Sequence, residues 1–269
     1  MHEDRSYGPA CMVYYYFALF KNVGFLESNP TTPEELILQD VNSVRSSSFG
    51  PSKTTVFVTH GWNGNGQNSM SRLLTNSFLK DADVNVVVLD WGRLANGGYV
   101  TASNGVPAVG AGLGAFINWL VSSGLTSYER VHLVGFSLGG HLVGCAGRTT
   151  GGRVKRITAL DPAGPLWKLD KDKLARTDAQ YVEVMHTNTE RYGYEDPLGD
   201  ADFYPNGGTD MPGCITDSCS HSLSYEYFGA TIDHNHLLAN RCATYREVTR
   251  NRCSGDKLPM GNSNINKSA

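Results

Sequence analysis

The feature that most constrains the fold is a series of short, continuously apolar, β-branched runs separated by stretches of helical periodicity. The runs are TTVFVTH (54–60), VNVVVLDW (84–91), RVHLVGF (130–136), RITALD (156–161) and YVEVMHT (181–187). A strand with one wet face alternates apolar and polar residues. These do not alternate, so both faces are expected to be covered, as in a parallel sheet. Between them, residues 69–79 set Met70, Leu73, Leu74 and Phe78 on one stripe, and residues 109–121 do the same with Leu113, Phe116, Ile117 and Leu120. Residues 138–148 form a third expected helix. The alternation predicts an α/β fold with a doubly wound, mostly parallel sheet.

The rest of the chain is less regular. Gly, Pro, Asp, Asn and Tyr crowd residues 188–214, which predicts long loops with short strands. A helix is expected within 225–240, and residues 255–269 read as frayed. Near the start, ACMVYYYFALF (10–20) reads as an aromatic-rich strand. Glu3, Asp4 and three consecutive tyrosines argue against a signal peptide there. No repeat or linker divides the sequence, so one domain over 1–269 is expected. With 40% hydrophobic and 18% charged residues the composition is that of a globular chain, and a net charge of -3 gives no basic footprint for nucleic acid. No apolar run reads as a transmembrane segment.

One of the expected strands runs into Gly135-Phe136-Ser137-Leu138-Gly139. A G-x-S-x-G pattern alone is weak, since a Gly-rich loop produces it too. Here it follows a strand and opens the helix-like LGGHLVGCAGR, the setting in which a serine stands on a strained strand-to-helix turn. A serine hydroxyl needs a base to remove its proton, and the base needs a carboxylate to steady it. In chain order the carboxylate should follow the serine and the histidine come last. Asp161 ends the next strand, before Pro162, where it could equally start a turn. His186, His221, His234 and His236 follow it. His186 ends a strand and reads as packed, while His234 and His236 sit in a polar turn. His221, after Cys219-Ser220, is favoured. The N–H groups of Leu138 and of Trp62, in VTHGWNGNG, are the expected oxyanion donors.

Six cysteines are present: Cys11, Cys145, Cys214, Cys219, Cys242 and Cys253. The last four fall as C-x4-C and C-x10-C, looser than a structural zinc site, so local disulfides and an oxidising compartment are expected. Cys145 reads as a buried free thiol.

Taken together, HGW, VVLDWG, GFSLGGHLVG, ALDPAGPLW, DFYPNGG, MPGC, CSH and CATYREVTRNRC resemble the pancreatic lipase family, in an animal and most of all an insect form, from about Val56 to Cys253. The resemblance implies an α/β-hydrolase fold and carries catalytic roles to Ser137, Asp161 and His221, with Trp62 and Leu138 in the oxyanion hole. It implies disulfides Cys214–Cys219 and Cys242–Cys253. The family usually has His where Phe136 stands. Its lid lies between the cysteines matching Cys214 and Cys219, which here enclose only Ile215, Thr216, Asp217 and Ser218. The second active-site loop, 188–200, is also short. Relatives with both loops short tend to be phospholipases of the A1 type, with triacylglycerol lipase and galactolipase as alternatives. A non-catalytic yolk or lipid-carrier relative and a serine peptidase are alternatives of other classes. In the stretch matching the family's calcium site, Asp178 fits a ligand but Ala175 replaces a carboxylate, so no metal and no cofactor are expected. The resemblance also leads one to expect a secreted monomer acting on lipid esters at a membrane or lipid surface, without a C-terminal β-sandwich and shortened at the end of the catalytic domain.

Overall fold

The computed structural model describes residues 21–26, 29–235 and 237–269, with side chains from residue 33 onward. The aromatic run at 10–20, Cys11 and His236 lie outside the described residues. Ten strands, β1 (Lys21–Leu26), β2 (Asn29–Leu36), β3 (Thr54–Thr59), β4 (Val84–Asp90), β5 (Val131–Phe136), β6 (Arg156–Leu160), β7 (Val182–Met185), β8 (Ala201–Phe203), β9 (Leu238–Asn240) and β10 (Lys257–Pro259), occur among them. The helices are α1 (Val41–Arg45), α2 (Ser69–Asp81), α3 (Gly92–Ala95), α4 (Tyr99–Ser122), α5 (Leu138–Thr149), α6 (Asp217–His234) and α7 (Tyr245–Thr249).

Eight strands form one sheet in the order β2-β1-β4-β3-β5-β6-β7-β8. From β4 to β8 every neighbouring pair is parallel, and β1 runs antiparallel to both β2 and β4. The five apolar runs occupy the five central strands. Both faces are covered, as their lack of alternation requires. Phe57, Val87, Leu133 and Val184 face α4 and α5, joining Leu113, Phe116 and Leu142. Val56, Val58, Val86, Val88 and Val134 face α2 and α6, joining Leu74, Phe78 and Phe228. This is the doubly wound sheet of an α/β-hydrolase. The central strands end on one edge, so the loops leaving β3, β5, β6 and β7 converge there.

Three elements differ from the sequence reading. Helix α4 begins ten residues early, running through Pro107. It is, by length and composition, apolar enough to cross a membrane, unlike the shorter runs seen in the sequence, but half of its most apolar window is buried inside the protein. Helix α6 begins at Asp217 rather than 225, so His221 lies on a helix. Thr216 caps it by accepting the Cys219 N–H, and the Cys214–Cys219 disulfide holds that cap and first turn together. A second disulfide joins Cys242 and Cys253, and Cys145 is a buried free thiol.

The third difference is the tail, which is not frayed. Strand β10 pairs with β9, and Met260, Asn262 and Lys267 are buried. The fully buried Arg156 guanidinium donates to the carbonyls of Gly261, Asn262 and Asn264. Glu183 accepts from Gly261 N–H at 2.7 Å and from Tyr181 Oη at 2.9 Å, and pairs with Arg156 and Lys267. A buried charge is tolerable only when it is paired and hydrogen-bonded in this way.

Candidate active site

Ser137 sits between the last residue of β5 and the first of α5, at φ 56° and ψ -122°. A serine there is strained, and the surroundings hold it in place. Its N–H donates to Leu160 O at 3.0 Å, and its carbonyl accepts from Gly140 and Ala163. The flanking glycines are steric requirements. A Cβ on Gly135 would stand 2.1 Å from Gly139 O, and one on Gly139 would stand 2.6 Å from Thr59 O. Gly61 passes so close that its Cβ would meet Ser137 Cβ at 2.7 Å. The loop after β3 therefore lies directly against the serine.

Asp161 directly follows β6, fully buried, at φ 42°. Its Oδ1 accepts the N–H groups of Thr187 at 2.7 Å and Asn188 at 3.1 Å. Its Oδ2 accepts from His221 Nδ1 at 2.6 Å. A carboxylate held by two amides and an imidazole is the arrangement that fixes a histidine tautomer. With Nδ1 donating to Asp161, His221 Nε2 is left to accept a proton. The imidazole packs between Phe136, at a ring separation of 4.6 Å, and Tyr192, at 5.6 Å. Since Phe136 precedes the serine, that contact brings His221 to the elbow. The Ser137 hydroxyl makes no hydrogen bond among the described residues; such bonds are often long until substrate arrives.

The Trp62 and Leu138 N–H groups take no acceptor among the described residues. Leu138 begins a helix, whose first N–H groups point outward unsatisfied. Trp62 is fixed by its indole, which donates to Gly97 O at 2.8 Å and meets Tyr99 edge-on at 5.4 Å. Beneath it, His60 is buried and stacked on Trp91, and its carbonyl accepts the Trp91 indole N–H at 2.9 Å. The neighbouring Asp90 carboxyl is held below its ordinary range, first by hydrogen bonding to His60.

Two other histidines, His186 and His141, are buried and held by hydrogen bonds. His186 is buried, bonded to Tyr194 O and Asp202, and stacked on Tyr204. His234 closes α6. His141 Nε2 donates to Ala163 O at 2.8 Å, and its Nδ1 accepts the Leu174 N–H at 3.1 Å. It stacks on Trp167 at 4.0 Å, and burial lowers its pKa to about 4. It is thus a neutral brace for the loop beyond Asp161. Asp178 bonds Arg148 and the Ala175 N–H. No group of three His, Cys, Asp or Glu residues suited to a metal ion occurs among the described residues. Sequence reasoning missed Thr187 and Asn188, because their backbone amides leave no side-chain signature. Their place was nevertheless implied by the run ending in MHT, which lies beside RITALD in the sheet.

Fold and elbow together define an α/β-hydrolase with a serine at its strand-to-helix turn. The family model described as Lipase matches residues 16–264, and the chain belongs to that family. It is 37% identical to lipase member H of Oryctolagus cuniculus, covering 83% of this chain and 52% of the rabbit protein. It is 33% identical to pancreatic lipase-related protein 2 of Cavia porcellus, covering 85% and 55%. It is 34% identical to pancreatic triacylglycerol lipase of Equus caballus, covering 85% and 56%. The chain thus spans about half the length of the curated relatives it matches.

Proposed function

We propose that the chain hydrolyses carboxylic esters of lipids through Ser137, His221 and Asp161. The observation that carries this is the 2.6 Å bond from His221 Nδ1 to a buried Asp161, beside a serine held on a strained elbow. His221 Nε2 takes the Ser137 proton as Oγ attacks the ester carbonyl carbon. The carbonyl oxygen becomes an oxyanion, which the Trp62 and Leu138 N–H groups receive. Asp161 stabilises the imidazolium. The carbon–oxygen bond to the alcohol breaks, and the alcohol departs with the proton from His221. A water, deprotonated by the same imidazole, then attacks the acyl-serine and releases the fatty acid.

Within that reaction we assign the chain to phospholipases of the A1 type. Ile215 is 99% exposed in the four-residue span closed by Cys214–Cys219, whose last two residues already belong to α6, too short to cover the site. A site without a cover stays wetter, which reduces the desolvation cost of a charged headgroup. The two disulfides support residence in an oxidising compartment. A fluorophosphonate probe tests the chemistry. Labelling of Ser137 supports the enzyme, and an unlabelled folded chain favours a lipid carrier instead.

A further inference from the structure

Most exposed large apolar side chains of a soluble protein are scattered singly. Here several border one face. Trp62 meets Tyr99, Tyr99 Oη donates to Pro165 O, Gly164 N–H donates to Tyr192 O, and Tyr192 packs on His221. The segment in the middle of this chain of contacts, residues 164–169, presents Leu166 at 58% exposure and Leu169 at 99%.

Two observations separate this segment from an incidental loop. Leu166 is held at φ 71°, a left-handed conformation that is costly for a bulky side chain and that glycine would adopt freely. The loop is also braced from within. Between the two leucines Trp167 points inward, buried and stacked on His141, and Tyr194 Oη donates to Lys168 O. The backbone is therefore strained where it displays Leu166, on a buried and stacked support. Exposed Lys168 lies between the leucines and exposed Lys171 follows them, and neither forms an ion pair among the described residues. Of the nearby acids, Asp172 faces Arg148 and Asp170 accepts the Asp172 N–H. Between this loop and residues 189–195 opens a cleft of about 670 Å³, lined by Lys168 and Arg191 together with Glu190 and Glu195. Gly193, in its wall, lies against the Asp161 carboxylate, where a Cβ would stand 2.4 Å from Oδ1.

We propose that residues 164–169 form a fixed wedge that docks the chain on a phospholipid bilayer. Leu166 and Leu169 enter the boundary between headgroups and acyl chains, and Lys168 and Lys171 meet the phosphates. The wedge rests on the reading of the chain as a lipid ester hydrolase, because it adjoins that site and sets which face meets the lipid.

Flotation with phosphatidylcholine vesicles tests it in a Ser137→Ala background, which leaves the vesicles intact. The Leu166→Ser/Leu169→Ser pair should lower partition at least about tenfold. Leu166→Gly should weaken partition while Tm stays level or rises, which a folding defect would not produce. Leu238→Ser, on β9, should leave partition unchanged. Adding phosphatidylserine should tighten binding, and Lys168→Glu should abolish that gain. With Ser137 intact, the leucine variants should cleave monomeric p-nitrophenyl butyrate at the unsubstituted rate. Equal partition of the double variant and its parent, or no vesicle binding by the parent, overturns the wedge. A chain that floats through these leucines but cleaves no ester supports the wedge and refutes the hydrolase reading instead.

Discussion

Acid should loosen the loop that carries Asp161, and His141 sets the pH at which this begins. In the native state Nδ1 accepts the Leu174 N–H and Nε2 donates to Ala163 O. A proton on Nδ1 would set two N–H groups against each other inside the protein. Burial is the larger cause of the lowered pKa of about 4, against an ordinary 6.5. The unfolded chain thus binds a proton below 6.5 that the folded chain refuses until about 4. Stability is intact above pH 6.5 and falls as pH drops through this window. A shift of this size is worth about 3 kcal/mol by pH 4. Urea denaturation of the parent and of His141→Gln, at several values between pH 7 and 4, measures it. The variant keeps a donor for Ala163 but loses the Leu174 bond and the stacking, so it should be weaker at pH 7 by about 1–3 kcal/mol. Its stability should fall less on acidification, by about 3 kcal/mol, because glutamine does not titrate. Parallel pH profiles for the two proteins would refute the assignment of this acid sensitivity to His141.

Other outcomes are expected at the site and the tail. Ser137→Ala should reduce ester hydrolysis by several orders of magnitude with an unchanged Tm, measured by initial rates and thermal melts; near-normal turnover would sink the nucleophile. Replacing both Cys214 and Cys219 by Ser should cost about 2 kcal/mol of stability for so short a loop, and should lower kcat as the α6 cap carrying His221 loosens, as read by denaturation and kinetics. Initial rates should favour phosphatidylcholine over a long-chain triglyceride; a higher specificity constant for the triglyceride would contradict the A1 assignment. Lys267, whose pKa burial lowers to about 8, holds fewer protons folded than unfolded between there and its ordinary 10.5. Its contribution makes stability rise with pH across that window, and Lys267→Met should flatten the rise in alkaline denaturation curves.

What the sequence disclosed depended on whether side chains carried the signal. The five central strands are legible because burial on both faces leaves uninterrupted apolar runs. The elbow is legible because Gly135 and Gly139 answer a steric demand that no other residue meets. The start of α6 is hidden, because Asp217, Ser218, Ser220, Ser222 and Ser224 offer little apolar periodicity and a disulfide and a threonine cap fix that turn instead. The first ten residues of α4 are hidden by Pro107, which disfavours helix just before it. The strands β1 and β2 escaped notice, since an edge hairpin containing Pro and Glu lacks the buried-strand composition. The tail was misjudged because most of its ties to Arg156 and Glu183 are made by backbone groups, which look the same beneath any side chain.

Those ties also govern the order of events on the ribosome. Arg156 opens a central strand, yet the carbonyls that accept its guanidinium belong to residues 105, 106 and 108 positions later. Throughout that interval of synthesis the nascent β6 carries a charge that cannot enter an apolar interior without them. The sheet around Arg156 therefore cannot close progressively from the N-terminal side, and must wait for residues 261–264 to leave the exit tunnel. A message ending in a premature stop between residues 222 and 261 would release a chain with all its proposed catalytic side chains and an interior that cannot shut.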